Sequence, residues 1–115
     1  MTIEEFHREA ISAAFDSAIC EMPVVRRATP TSLNLRIQLT VGNFIDVFYN
    51  QDTGTTAFAL IENGKRLLGA DNTGLWHVHP FEKPEAHEPS EPMSARAFVQ
   101  LVERHYAGTS ESATQ

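Results

Sequence analysis

Leu33, Leu35, Ile37 and Leu39 alternate with Asn34, Arg36, Gln38 and Thr40. A period of two sends successive side chains to opposite faces of an extended chain. This segment therefore reads as a strand that buries one face and wets the other. A chain holding such a strand must supply partner strands on both sides and an apolar layer over one face. The neighbouring sequence supplies both.

Phe44 to Tyr49 is denser in apolar residues and reads as a central strand, reached through a turn at Gly42-Asn43. Asn50 to Gly54 is a turn of residues that tolerate left-handed backbone geometry. Thr56 to Ile61 reads as another strand, Asn63-Gly64 as a tight hairpin turn, and Arg66 to Gly69 as the returning strand. Val24 to Arg27 adds a short strand ahead of them. The links are short, which favours an antiparallel meander.

Helices are expected at both ends. Thr2 and Glu5 have the spacing of a capping box, after which Ile3, Phe6, Ala10, Ile11, Ala14, Phe15 and Ala18 trace one apolar face. Pro23 closes that region. Ser90 is the expected cap of the last helix, with Pro92 in its first turn, Ala97, Phe98, Leu101, Val102 and His105 on its inner face, and Gly108 as its stop. The fold class is α+β: an antiparallel sheet of about four to five strands flanked by an N-terminal and a C-terminal helix. Residues 1–108 form one domain, and 109–115 read as a disordered tail.

Charge and cysteine content narrow the functional classes. The net charge is −6, which disfavours broad, non-specific binding of nucleic acid. Only Arg26-Arg27 and Lys65-Arg66 offer close basic pairs. Cys20 is the single cysteine, so no internal disulfide forms, and its place beside an amphipathic segment suits a structural thiol. No secretory leader is visible and no apolar run approaches the ~20 residues that span a bilayer. The expectation is a cytoplasmic protein with no membrane partner.

Chemistry concentrates in Trp76-His77-Val78-His79-Pro80-Phe81, with His87 close behind. His77 and His79 are two apart, so in an extended chain both rings leave the same face about 7 Å apart. Two readings follow. The pair can act as general acid and general base, with Arg66 or Lys65 stabilising a phosphate and Asp71 orienting a ring. Alternatively, His77, His79 and His87 can hold a divalent metal, with Glu85, Glu88 or Asp71 as other ligands within reach. A third reading makes the chain a non-enzymatic interaction module with an acidic surface, in which the histidines only fix a loop. Asp46, Tyr49, His7 and His105 read as structural or solvent-facing. Glu82, Glu85, Glu88 and Glu91 read as a solvated acidic loop.

From Leu33 to Pro89 the chain resembles the small TumE-type toxins of prokaryotic toxin–antitoxin pairs. The residues that carry the resemblance are the strand-rich first part, Arg66, Asp71-Asn72, and the closely spaced His77 and His79. It implies a small sheet protein that acts through RNA cleavage and is neutralised by a cognate antitoxin or other protein partner; the His77 and His79 acid–base pair would cleave without metal. Homodimer formation through an exposed sheet edge is also expected. His77-Val78-His79-Pro80 is in addition similar to the His-x-His-Pro core of JAMM metalloproteases. That family follows it with Ser-x-x-Asp, whereas here Ser90 is followed by Glu91, Pro92 and Met93.

Overall fold

The computed structural model describes residues 1–79 and 88–113, the last five by backbone alone. Helix α1 (Ile3–Phe15) is followed by strands β1 (Val24–Ala28), β2 (Ser32–Gln38), β3 (Phe44–Asn50), β4 (Thr56–Glu62), β5 (Lys65–Asp71), β6 (His77–His79) and β7 (Glu88–Pro89), and then by helix α2 (Ala95–Ala113). All neighbouring strands pair antiparallel, in chain order from β1 to β7.

The fold is α+β with a helix at each end, as the sequence implies. The sheet has seven strands, where four to five were expected. The two additions, β6 and β7, come from the histidine segment and the proline-rich stretch after it. They span three and two residues, too few to show a period. Pro89 is tolerated because β7 is an edge strand, where a missing N–H breaks no ladder on the outer side.

The alternation of β2 holds throughout. Leu33, Leu35, Ile37 and Leu39 are buried, while Asn34, Arg36 and Gln38 are half-buried on the opposite face. Ile45, Val47 and Tyr49 of β3, Phe58 and Leu60 of β4, and Leu68 and Ala70 of β5 continue the buried face. Both helices pack on this one face. α1 contributes Phe6, Ala10, Ala13 and Ala14, and α2 contributes Ala95, Phe98, Val99 and Val102. Stacked rings tie the layers together: Phe6 lies on Tyr49 at 4.4 Å, and Phe58 on Phe98 at 5.2 Å.

Local signals explain most boundaries. The Thr2 hydroxyl accepts from the Glu5 N–H, and the Glu5 carboxylate accepts from the Thr2 N–H, which completes the capping box. That backbone bond from Thr2 holds the Glu5 carboxyl below its usual pKa. Asn63 (φ 51°) and Gly64 (φ 76°) form the left-handed pair that a two-residue hairpin needs.

Three expectations about the helices change. α2 is capped by Ser94, whose hydroxyl accepts from the Ala97 N–H, and not by Ser90. Pro92 therefore precedes the helix. The apolar period starts at Ala95, so the cap belongs immediately before it. The helix also continues through Gly108 to Ala113. In α1, Phe15 is 77% exposed as the last residue of the helix, although Ala13 and Ala14 of the same turn are buried.

Phe98 is fully buried between the layers, so Phe98→Ala should cost about 3–5 kcal/mol in urea unfolding. Phe15→Ala should cost under ~0.5 kcal/mol. Equal losses would contradict the packing described.

A candidate acid–base site on the open sheet face

The face opposite the helices is ordered by cross-strand register. Ala57, Asp71, His77 and Pro89 lie in one row across β4 to β7, and Ala59, Gly69 and His79 in the next. Residues directly opposite one another in an antiparallel pair share a face. Asp71, His77 and His79 therefore project together, and Arg66 shares that face through its pairing with Ile61.

These four residues form a chain of polar contacts. Arg66 Nη2 lies 3.2 Å from His79 Nδ1. His79 Nε2 lies 3.2 Å from Asp71 Oδ2, and His77 Nε2 lies 3.1 Å from Asp71 Oδ1. On its other side His77 Nδ1 lies 2.9 Å from the Leu75 carbonyl oxygen. The two imidazoles meet edge to face, 5.0 Å apart. His79 is buried, whereas the His77 side chain is 15% exposed.

The partners assign the protons. A guanidinium only donates, so His79 Nδ1 accepts and His79 Nε2 carries the proton that goes to Asp71. A carbonyl only accepts, so His77 Nδ1 donates to Leu75. His77 Nε2 then meets Asp71 as a donor when it carries a proton, and offers a lone pair when it does not.

Asp71 is held as a carboxylate. Partial burial acts to raise its pKa, but the Thr73 hydroxyl and N–H, the bond from His79 and the charge of His77 outweigh it and leave it below the usual value. The Thr73 hydroxyl donates to Asp71 Oδ1 at 2.5 Å and the Thr73 N–H at 3.1 Å. Asn72 anchors the strand end that carries Asp71. Its side-chain carbonyl accepts from the Thr56 N–H at 2.7 Å, and its amide donates to the Gly54 carbonyl at 2.9 Å.

Gly69 has a packing role. A Cβ there would lie 2.9 Å from Arg66 Cδ and 3.3 Å from the Phe58 carbonyl oxygen. The bare backbone lets the Arg66 side chain lie across β5 and reach His79.

The structure thus brings together Arg66, Asp71, His77 and His79, all named from the sequence as catalytic candidates. His87, named as a metal ligand, lies outside the described residues, as do Glu82 and Glu85. Asp71 takes the third-ligand position: one atom from each of Asp71, His77 and His79 falls within a 4.8 Å cluster. One carboxylate and two imidazoles are a donor set that zinc takes. His77 fits a metal-ligand role, since a ligating histidine usually donates its other N–H to a carbonyl or carboxylate. His79 fits it poorly. Ligation through Nε2 requires a proton on Nδ1, and that atom faces the donor Arg66.

Thr73, Leu75 and Gly69 were not foreseen. Asp71-x-Thr73 is a local pattern in which an aspartate accepts from the residue two ahead, and it was available in the sequence. Gly69 and the Leu75 carbonyl emerge only from the strand pairing. Asp46 forms a cross-strand ion pair with Arg36 at 3.3 Å. Tyr49 is buried and donates to the Met1 carbonyl at 2.5 Å. Burial pushes the Cys20 thiol up in pKa, partly offset by Ser17, as suits a structural cysteine.

Two measurements test this network. Gly69→Ala should displace Arg66 and release His79 Nδ1, read as a change in the ¹⁵N shift of that atom by NMR. An unchanged shift would mean the close approach is not needed. Because the folded-state pKa of Asp71 is lowered, its ionised form stabilises the fold above the ordinary carboxylate pKa of about 3.9. That contribution is lost as pH falls through the lowered value. The stability gap between wild type and Asp71→Asn in urea titrations should therefore be full at pH 6 and shrink below about pH 4.

No protein-family model, curated protein or solved structure matches this chain.

Proposed function

We propose that the open-face cluster is a metal-independent acid–base site that cleaves RNA. The observation that carries this reading is the contact of Arg66 with His79 Nδ1. It places an anion-binding group directly on a candidate base, and it gives His79 the wrong partner for a metal ligand.

The chemistry runs as follows. A substrate phosphate draws the Arg66 guanidinium to itself and frees the lone pair of His79 Nδ1. That nitrogen takes the proton of the 2′-hydroxyl, and the 2′-oxygen attacks phosphorus. The bond to the 5′-oxygen breaks, and His77 Nε2–H gives its proton to the departing oxygen. The products are a 2′,3′-cyclic phosphate and a free 5′-hydroxyl. Asp71 orients both rings and offsets the positive charge that develops on His79. In keeping with the resemblance to TumE-type toxins, the protein acts as a cytoplasmic toxin-like ribonuclease restrained by a protein partner.

The clustering of Asp71, His77 and His79 favours a second reading, a divalent-metal site in a metal-binding protein or metal-dependent hydrolase. One experiment separates the two. Tag-free protein is assayed for bound metal and for cleavage of a fluorescent RNA oligomer, with and without EDTA. Cleavage that survives EDTA and falls about 10²–10⁴-fold in His77→Ala and in His79→Ala is the expected result. Near-stoichiometric zinc or manganese that is lost in His77→Ala, together with EDTA-sensitive activity, would replace this reading with the metal site. Undiminished cleavage by both variants would overturn it.

A further inference from the structure

The open face has a charge balance unlike that of the chain. Its register places Arg27, Arg36 and Arg66 there, against Asp46 and Asp71. Among the described residues, three arginines share this face with two aspartates, with His77 and His79 beside them, on a protein whose net charge is −6. Asp46 is already answered by Arg36 at 3.3 Å.

The same face has relief. Ala57, Ala59 and Gly69 are small, and they lie between the site on one side and Phe48 and Asp46 on the other. A groove of about 100 Å³ opens there, lined by Asn34, Asp46, Phe48, Ala57 and Ala59. Ala57 lies directly opposite Asp71, so the groove begins one strand, about 4.8 Å, from the cluster. Phe48 stands in the same row as Asn34, Ala57 and Asp71, and Arg27 extends that row at the sheet edge.

Arginines flanking a half-buried aromatic ring are a combination that binds single-stranded nucleic acid. Cations track the phosphates, and a ring stacks a base whatever its identity. We infer that the groove is a nucleotide subsite for the RNA strand cut at the cluster. Phe48 stacks the base next to the scissile phosphate, and Arg27 holds a phosphate further along. The small residues at Ala57 and Ala59 let the strand lie close to the sheet. This inference rests on the reading of the cluster as an RNA-cleaving site. It adds where the strand runs and which residues bind it without taking part in the bond cleavage.

The test uses a fluorescein-labelled 2′-O-methyl hexa-adenylate, which lacks the nucleophilic hydroxyl and so reports binding alone. Fluorescence anisotropy should show wild-type binding that weakens as salt rises. Phe48→Ala should weaken it about tenfold, whereas Phe15→Ala, on a helix that packs on the other face, should leave it within about twofold. Arg27→Glu, at an exposed position on the edge strand β1, should weaken binding several-fold and flatten the salt dependence by about one phosphate contact. Absence of wild-type binding, or wild-type affinity in both Phe48→Ala and Arg27→Glu, would overturn the subsite. If these two variants lose binding but wild type cuts no RNA, the subsite stands and the catalytic reading falls. If RNA is cut with the same KM by wild type and both variants, the catalytic reading stands and the subsite falls.

Discussion

One extra residue in β5 decides which face of the sheet carries Asp71, His77 and His79. The hairpin closes with Glu62 opposite Lys65 and Ile61 opposite Arg66, but Leu60 then pairs with Leu68, so Leu67 has no partner of its own. Had the ladder continued without that bulge, Ala59 would face Leu68 and Thr56 would face Asp71. Gly69 and Asp71 would then point into the core, and Leu68 and Ala70 into solvent. Side chains alternate with a period of two, so a one-residue slip exchanges the faces of everything beyond it. The bulge puts Leu68 and Ala70 under the helices and Asp71 in the open. β6 takes its register from β5, and His77 and His79 follow Asp71 outward.

The helices complete the division. Both lie on one face, and α1 covers the middle of the sheet while α2 reaches β4. Rings from both helices and from β3 and β4 make the core continuous, and burial of this kind stabilises each large side chain by roughly 1.5–3 kcal/mol. Among the described residues no helix covers the other face, which mixes polar side chains with Phe44, Phe48 and small alanines. Here those residues are sorted, with ion-paired Arg36 and Asp46 towards one edge, the Asp71 cluster towards the other, and alanines between them.

How far the sequence discloses this arrangement depends on the length over which each signal repeats. β2 spans seven residues of strict alternation, and its buried face reads directly from Leu33 to Leu39. Asn63-Gly64 and the Thr2–Glu5 box are short but chemically specific, and both form as expected. β6 and β7 are too short for any period, which is why the sheet is wider than its sequence implies. Arg66, Asp71, His77 and His79 stand out as residue types capable of chemistry. Their order of contact does not, because it depends on the unpaired Leu67 and on the space above Gly69. Neither has a sequence signature, since a bulge at a leucine looks like any other apolar pair.

Proton accounting around the two histidines then separates them chemically, although the sequence presents them as equivalent. Each Nε2 faces an oxygen of the same carboxylate, so Asp71 alone gives no asymmetry. The difference lies at Nδ1. The ring of His77 rests against a carbonyl and must donate, while the ring of His79 rests against a guanidinium and must accept. A neutral His79 can therefore gain a proton only at Nδ1, and only when Arg66 moves its hydrogen bond elsewhere. An incoming anion is the natural competitor for Arg66, since a charged acceptor binds a guanidinium more strongly than a neutral imidazole nitrogen does. The lone pair of His79 Nδ1 and the position of Arg66 are thus coupled, since displacing the guanidinium exposes the nitrogen. The Leu75 carbonyl fixes the orientation of the His77 ring.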